Sequence, residues 1–321
     1  MTRQWIRQCR LYVGTGSEAI DVSDLRIRFN VEMATRSTPW RADATISNLS
    51  TATANQISKT EYAKLTLQAG YDGSFATIFD GQIVQKRGPA RETPVDTYFN
   101  IQARTEQTAY SYAMMSKTLS SGHTFKDQID ACLEALKPYG ITAGNIPDLG
   151  SVKMPRGRAM FGMVRHQLRS ICQAVGANWW ITGGKLQIVK YTEALEGNTV
   201  VLNSGTGMIG MPVQTMDGCV EARCLLNPRL TVGGSVQIDE ASIQKTKLTL
   251  TSTQTEIRDA SWLANSIAAD GLYKIVFLSH IGDTRGTEWY SDIVGIPLNG
   301  KFISKRVAQE SVADVTAYTA Q

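Results

Sequence analysis

The residues best suited to chemistry are few. His123, His166 and His280 are the only histidines among 321 residues. His280 lies in Leu278-Ser279-His280-Ile281-Gly282-Asp283, where Asp283 could orient an imidazole for proton transfer. No nucleophile completes the set: the chain has no Gly-x-Ser-x-Gly elbow and no cysteine in a recognisable protease context. A structural histidine at a strand end is the favoured reading. Glu61, Asp72, Asp80, Glu288 and Asp292 are carboxylates that would cleave a glycosidic bond only if folding paired them. Each stands in a turn-like or strand-edge context that solvation explains.

Binding motifs are equally incomplete. Gly14-Thr15-Gly16 follows an apolar run, but the third glycine of a dinucleotide turn is missing and a strand pattern follows. Cys9, Cys132, Cys172, Cys219 and Cys224 are odd in number and spread widely. Cys219 and Cys224 lack the second pair or nearby histidine of a zinc site, so reduced, buried thiols are expected. Trp179 and Trp180 could offer a sugar-binding ring, yet adjacent strand positions point to opposite sides and one is expected in the core. The residues assign no catalytic, cofactor or metal site.

Charge excludes more than it assigns. A formal net charge of +4, from 33 basic and 29 acidic residues, is too small and too dispersed for a strong polyanion-binding surface. Arg26, Arg28, Arg36 and Arg41 cluster, with Asp21, Asp24 and Glu32 interleaved; Lys301, Lys305 and Arg306 form a second basic group. Mixed signs argue against continuous phosphate tracking. The N-terminal residues lack a signal-peptide core, and no apolar run approaches the ~20 residues of a membrane span.

The elements that would position these residues are mostly strands. Leu25, Ile27, Phe29, Val31 and Met33 alternate with Arg26, Arg28, Asn30 and Glu32, a strand with one apolar and one charged face. Strands are also expected at Trp5–Val13, Trp40–Leu49, Leu65–Tyr71, Ile78–Val84 and Val95–Ala103, with a short helix over Ala52–Ser58. Asp72-Gly73 suits a tight hairpin, and Gly88-Pro89 to Pro94 reads as turn-rich. These strands suggest a small closed or nearly closed barrel.

The period then changes. Phe125, Ile129, Cys132, Leu133 and Leu136 share a helical face, with Thr124 as N-cap and Pro138 to Gly140 as stop. A second helix is expected over Gly162–Val175, followed by a hairpin, Trp179–Ile181 and Leu186–Val189, around Gly183-Gly184. Sheet returns at Asn198–Leu202, Gly218–Leu226, Ser235–Ile238, Leu272–His280 and Ile293–Leu298. Ser242–Thr255 reads as an extended loop and Trp262–Ala269 as a short helix.

Several phrases, in order, resemble the baseplate hub subunits of tailed bacteriophages, particularly contractile ones. They are Ile46-Ser47-Asn48-Leu49-Ser50, Leu67-Gln68-Ala69-Gly70-Tyr71-Asp72-Gly73 and Ile78-Phe79-Asp80-Gly81-Gln82-Ile83, followed by Met208-Ile209-Gly210-Met211-Pro212, Leu225-Leu226-Asn227-Pro228, Val232-Gly233-Gly234, His280-Ile281-Gly282-Asp283 and Trp289-Tyr290. The resemblance implies a β-rich α+β fold: two tube-like β-barrel domains, at 1–110 and 196–321, joined by a small α+β domain at 111–195, with an extended loop or insertion around 240–270. It implies a structural, non-enzymatic homotrimer. Such a ring adapts a six-fold tail tube protein to a three-fold central spike protein beside other baseplate proteins. It surrounds a channel for DNA ejection, in a virion protein made in the bacterial cytoplasm, without cofactors. The charged face of Leu25–Met33 would then look toward the channel or a neighbour, and Val220–Leu226 would occupy the equivalent place in the second barrel. The competing expectations are a tail-associated cell-wall hydrolase and a tail or host-glycan binding module.

Overall fold

The computed structural model describes residues 4–14, 19–59, 63–197, 199–215, 219–239, 243 and 271–298. The first third builds β1 (Arg7–Gly14), β2 (Ile20–Asp21), β3 (Ile27–Ala34), β4 (Arg41–Ser47), α1 (Thr51–Lys59), β5 (Lys64–Tyr71), β6 (Ser74–Arg91) and β7 (Thr97–Arg104). Every expected strand forms here. β5 and β6 meet at Asp72-Gly73, where Gly73 takes the positive φ of 80° that the tight turn demands. Two boundaries differ. β1 starts at Arg7 rather than Trp5, and β6 runs through the Gly88-Pro89 segment that reads as a turn in sequence. The extension holds because Lys86, Arg87, Ala90 and Arg91 keep pairing with β7 across a local irregularity.

The middle third is a compact α+β unit. It holds α2 (Gln107–Tyr112), β8 (Met114–Leu119), α3 (Phe125–Leu136), β9 (Thr142–Ala143), β10 (Arg158–Met163), α4 (Val164–Val175), β11 (Ala177–Thr182) and β12 (Lys185–Lys190). Thr124 caps α3 in a reciprocal box with Asp127, the arrangement that satisfies two otherwise orphaned backbone donors. α3 and α4 bury Ile129, Cys132, Leu136, Leu168 and Ile171 against β11 and β12. The antiparallel β8–β10 pair and α2 are additions to the two helices and hairpin legible in sequence.

The last third contributes β13 (Val200–Leu202), β14 (Met208–Gln214), β15 (Val220–Leu225), β16 (Ser235–Ile238), β17 (Leu272–Asp283) and β18 (Trp289–Pro297). The segments Ser242–Thr255 and Trp262–Ala269 lie outside the described residues apart from Ile243.

One thirteen-stranded sheet joins the two ends of the chain, in the order β14-β15-β18-β17-β3-β4-β7-β6-β5-β1-β2, with β16 and β13 branching from β17. Its seam is the antiparallel pairing of β17 with β3, from Phe277 opposite Ala34 to Asp283 opposite Arg28. Its main apolar core runs from Leu11 and Phe29 to Val220 and Trp289, and a smaller separate cluster gathers Val276, Phe277, Val294 and Ile296 on β17 and β18. Among the described residues no strand pairing closes this path into a barrel.

At the seam Gly282 stands between Phe29 on β3 and Trp289 on β18. The two rings meet edge to face over it, centroids 5.5 Å apart. A Cβ at Gly282 would lie 2.4 Å from the Phe29 ring, so only glycine leaves room for the pair. Lys274, also on β17, is buried, and its Nζ donates to the Lys190 carbonyl at the end of β12, 2.8 Å away. Burial pushes its pKa down to about 8, and Glu193 opposes that only partly.

The sign of its effect on stability follows. Between pH 8 and the ordinary 10.5 the unfolded chain holds a proton that the folded chain has released, so stability rises with pH there. Below pH 8 the folded state carries the buried ammonium at a cost of about 3 kcal/mol. Lys274→Met leaves the Lys190 carbonyl unpaired, which costs about 1 kcal/mol. The variant should therefore be more stable than the parent by about 1–2 kcal/mol near pH 7, and no more stable near pH 10.5, in denaturant titrations.

Candidate assembly surface

β3 carries the alternation its sequence demands. Ile27, Phe29, Val31 and Met33 are buried, while Arg28, Asn30 and Glu32 are half-exposed. Directly opposed residues of antiparallel strands share a face, so strand register extends this polar side across the sheet. One row runs Arg223, Asp292, Ser279, Glu32, Arg41, Arg104, Gln82, from β15 through β18, β17, β3, β4 and β7 to β6. The next runs Leu225, Tyr290, Ile281, Asn30, Asp43, Gln102, Gln85. The polar face is therefore continuous between the first and last thirds of the chain.

Four of its arginines, Arg26, Arg28, Arg41 and Arg223, are paired with carboxylates within the molecule. Arg26 grips Asp283 with Nη2 2.6 Å from Oδ2 and Nε 3.1 Å from Oδ1. That guanidinium holds the Asp283 carboxyl below the usual carboxylate range. Arg28 donates to Glu92 at 2.8 Å, and Arg41 pairs with Glu32 at 2.9 Å. Arg223 binds Asp292 at 2.6 Å while its guanidinium lies 4.1 Å from the Tyr290 ring centre. Asp43 accepts from Asn100 at 2.6 Å and Gln102 at 3.0 Å. A shallow cavity of about 420 Å³ opens on this face, bordered by Arg28, Asp43, Arg104 and Glu288.

Among the described strands the face ends at β14. β14 pairs with β15, and Ile209, Met211 and Val213 are exposed along it. Ile209 stands opposite Arg223 and Val213 opposite Glu221, so both belong to the polar face's side of the sheet. A run of exposed apolar residues marks a place where another chain can sit. The interior-facing Pro212 is the one residue there that weakens further pairing. The Ile209–Met211–Val213 alternation is the sequence signal for this strand, which the expected strands do not include.

The residues singled out for chemistry do not converge. His280 and Asp283 lie on opposite faces of β17: His280 is buried, with Nδ1 2.7 Å from the Ser291 hydroxyl, while Asp283 is committed to Arg26. Asp72 is exposed in its hairpin, Asp80 accepts from Thr66 and Asp292 is paired with Arg223; Glu61 lies outside the described residues. Cys132, Cys172, Cys219 and Cys224 are buried and outside any disulfide, and Cys9 is partly buried. Burial pushes Cys9, Cys132, Cys172 and Cys224 up to about 12. Among the described residues no three His, Cys, Asp or Glu side chains gather as a metal site. The expectation of one core tryptophan at 179–180 is corrected: both are buried, because β11 is covered on its two sides. Gly14 ends β1, while Thr15, Gly16, Lys301, Lys305 and Arg306 lie outside the described residues.

A family model described as baseplate hub gp41 matches residues 10–243. The chain belongs to that family. Solved structures share its hub-type fold at low identity. The 43 kDa tail protein of prophage MuSo2 from Shewanella oneidensis aligns with a TM-score of 0.58 at 10% identity, over 91% of this chain and 99% of that one. A tail protein from Neisseria meningitidis MC58 gives 0.54 at 12%, over 95% and 99%. The E. coli c3393 protein, a type VI secretion component described as structurally similar to T4 tail proteins gp27 and gp5, gives 0.50 at 8%, over 87% and 74%. No curated protein sequence matches the chain. Membership in the hub family gives the protein a structural role in the phage tail baseplate.

Proposed function

We propose that the protein assembles as a homotrimeric hub ring, a non-enzymatic adaptor between a six-fold tail tube and a three-fold central spike. Each protomer contributes two tube-like units, 1–110 and 196–321, carried by the 111–195 α+β unit. Three protomers with two such units each present six similar positions to the tube. The observation that supports this reading most is the polar sheet face, continuous from β15 to β6 and flanked by the exposed Ile209, Met211 and Val213 of β14. A ring places such a face toward its central channel, where DNA passes without specific binding, and covers the edge with the next protomer. Internally matched arginines suit a lining that must not retain phosphates. Superposition of β3 with its neighbours on β15 with its neighbours tests whether the two tube-like units are equivalent.

Electron microscopy and mass photometry of the purified protein, alone and with the tail tube and spike proteins of the same phage, decide the matter. The expected result is a three-fold ring; a monomer under every condition, partners included, overturns it. Ile209→Asp with Val213→Asp should abolish or strongly reduce ring yield while leaving the monomer's thermal transition within a few degrees. Clearing of peptidoglycan that is lost on mutating His280 or a carboxylate would overturn the non-enzymatic reading.

A further inference from the structure

Glu221 is an exposed carboxylate of the polar face, on β15, directly opposite Val213 of β14 on one side and Val294 of β18 on the other. Asp292, Glu32 and Asp283 each hold an arginine, whereas Glu221 meets no cation or hydrogen-bond donor among the described residues. Partial burial, and then the nearby Asp292 charge, raise its pKa above the ordinary carboxylate value. The exposed Ile209, Met211 and Val213 lie beside it on β14. The other end of the described sheet path carries the opposite sign. There β2 borders β1 at Tyr12 and Val13, and Arg10 lies exposed further along β1. Strand register links Gly14 through Lys64 and Gln82 to Arg104, and alternation along β1 then puts Tyr12 and Arg10 on that same polar side. The Arg10 guanidinium lies 5.8 Å from the Phe75 ring centre and meets no carboxylate among the described residues.

We propose that the β14 margin of one copy of this chain docks against the β1 margin of a second copy, pairing Glu221 with Arg10 of that copy. The contact rests on the ring assembly and names the surface that meets β14. It is heterologous: each copy offers one margin of each kind, so a rotation that closes uses every margin. With β14 beside β1, two strand spacings of about 4.8 Å separate the backbones of Glu221 and Arg10, ~10 Å in all, which an extended glutamate and an extended arginine together span. Tyr12 and Phe75, half-buried beside Arg10, face the apolar strip of β14 in this arrangement. The two alternatives that join like margins set Glu221 against Glu221 or Arg10 against Arg10, and like-charge repulsion disfavours both.

Charge exchange in the full-length protein tests the pair. Glu221→Arg and Arg10→Glu, both at exposed positions, should each leave the monomer's thermal transition within a few degrees. Each should raise the protein concentration at half-assembly by at least about tenfold in mass photometry, because it sets like charges together. The variant carrying both changes should return to within about threefold of the parent, since the pair is restored with its ends exchanged. Where the parent forms rings, a single variant that assembles as well as the parent, or a double variant that does not recover, overturns this contact and leaves the ring standing. Assembly that needs the tail tube or spike protein, with no recovery in the double variant, gives the β14 margin to that protein and overturns the contact. A parent that forms no ring even with those proteins overturns the contact and the ring together.

Discussion

Trp289→Ala is expected to lower the free energy of unfolding by about 3–5 kcal/mol, the largest loss from any single side chain at the seam. Trp289 is 2% exposed and stands beside Gly282, which faces Phe29 in turn. Three contributions vanish together with it. The apolar area it buries is returned to water or left as a cavity. Its edge-to-face contact with Phe29 is lost, a term of about 0.5–1.5 kcal/mol beyond burial. The Arg7 guanidinium, 5.6 Å from its ring centre, loses its platform. Equilibrium unfolding in denaturant reads the total, and a double-mutant cycle with Phe29→Leu isolates the ring–ring term. A loss under about 1 kcal/mol would mean that the seam is not where the two ends of the chain are held. Gly282→Ala should be harmful for the opposite reason: the added methyl drives the rings apart rather than leaving a void.

Acid should weaken the fold through His280. Its imidazole is wholly buried beside Ser291, and burial pushes its pKa down to about 4 from the ordinary 6.5. Above pH 6.5 neither folded nor unfolded chain protonates this ring. Below it the unfolded chain takes up a proton that the folded chain refuses, so stability falls as pH drops from 6.5 to about 4. The total loss attributable to this residue is about 3 kcal/mol. Asp283, whose carboxyl is held low by Arg26, adds a further loss only at lower pH, as the unfolded carboxylates protonate. His280→Gln keeps a hydrogen-bonding group for Ser291 and removes the titration. Its unfolding free energy should then change little between about pH 7 and pH 4.5, where the parent loses about 2–3 kcal/mol. Equal slopes in parent and variant would assign the acid sensitivity to other groups.

Much of the fold was legible because it rests on local period. The alternation of Leu25–Met33, the Asp72-Gly73 turn and the Thr124 cap each depend on neighbours within a few residues, and each formed as the sequence implied. The β17–β3 pairing was not legible, since it joins segments with nothing local in common. The two sheet regions read as separate, yet share one sheet and its main core. β14 was not legible because Gly210 and Pro212 break its composition while leaving its alternation intact. The candidate surface was half visible: the charged stripe of β3 could be read, but not that Asp283, Glu92 and Glu32 would neutralise its arginines.

The seam also sets a timetable. Asn30 and Ser279, hydrogen-bonded across it, are 249 residues apart in the chain. A ribosome adding about 5–20 residues per second needs roughly 10–50 s to make the intervening polypeptide. Throughout that interval the nascent β3 has β4 on one side and a bare edge on the other, while the α+β unit has all of its own strands and helices to hand. Newly made chains therefore wait, half-built, with a sheet edge open to any strand in the crowded vicinity of the polysome. Slowing translation between β12 and β17 would lengthen that exposure, and aggregation during synthesis, rather than instability of the finished protein, would be its mark.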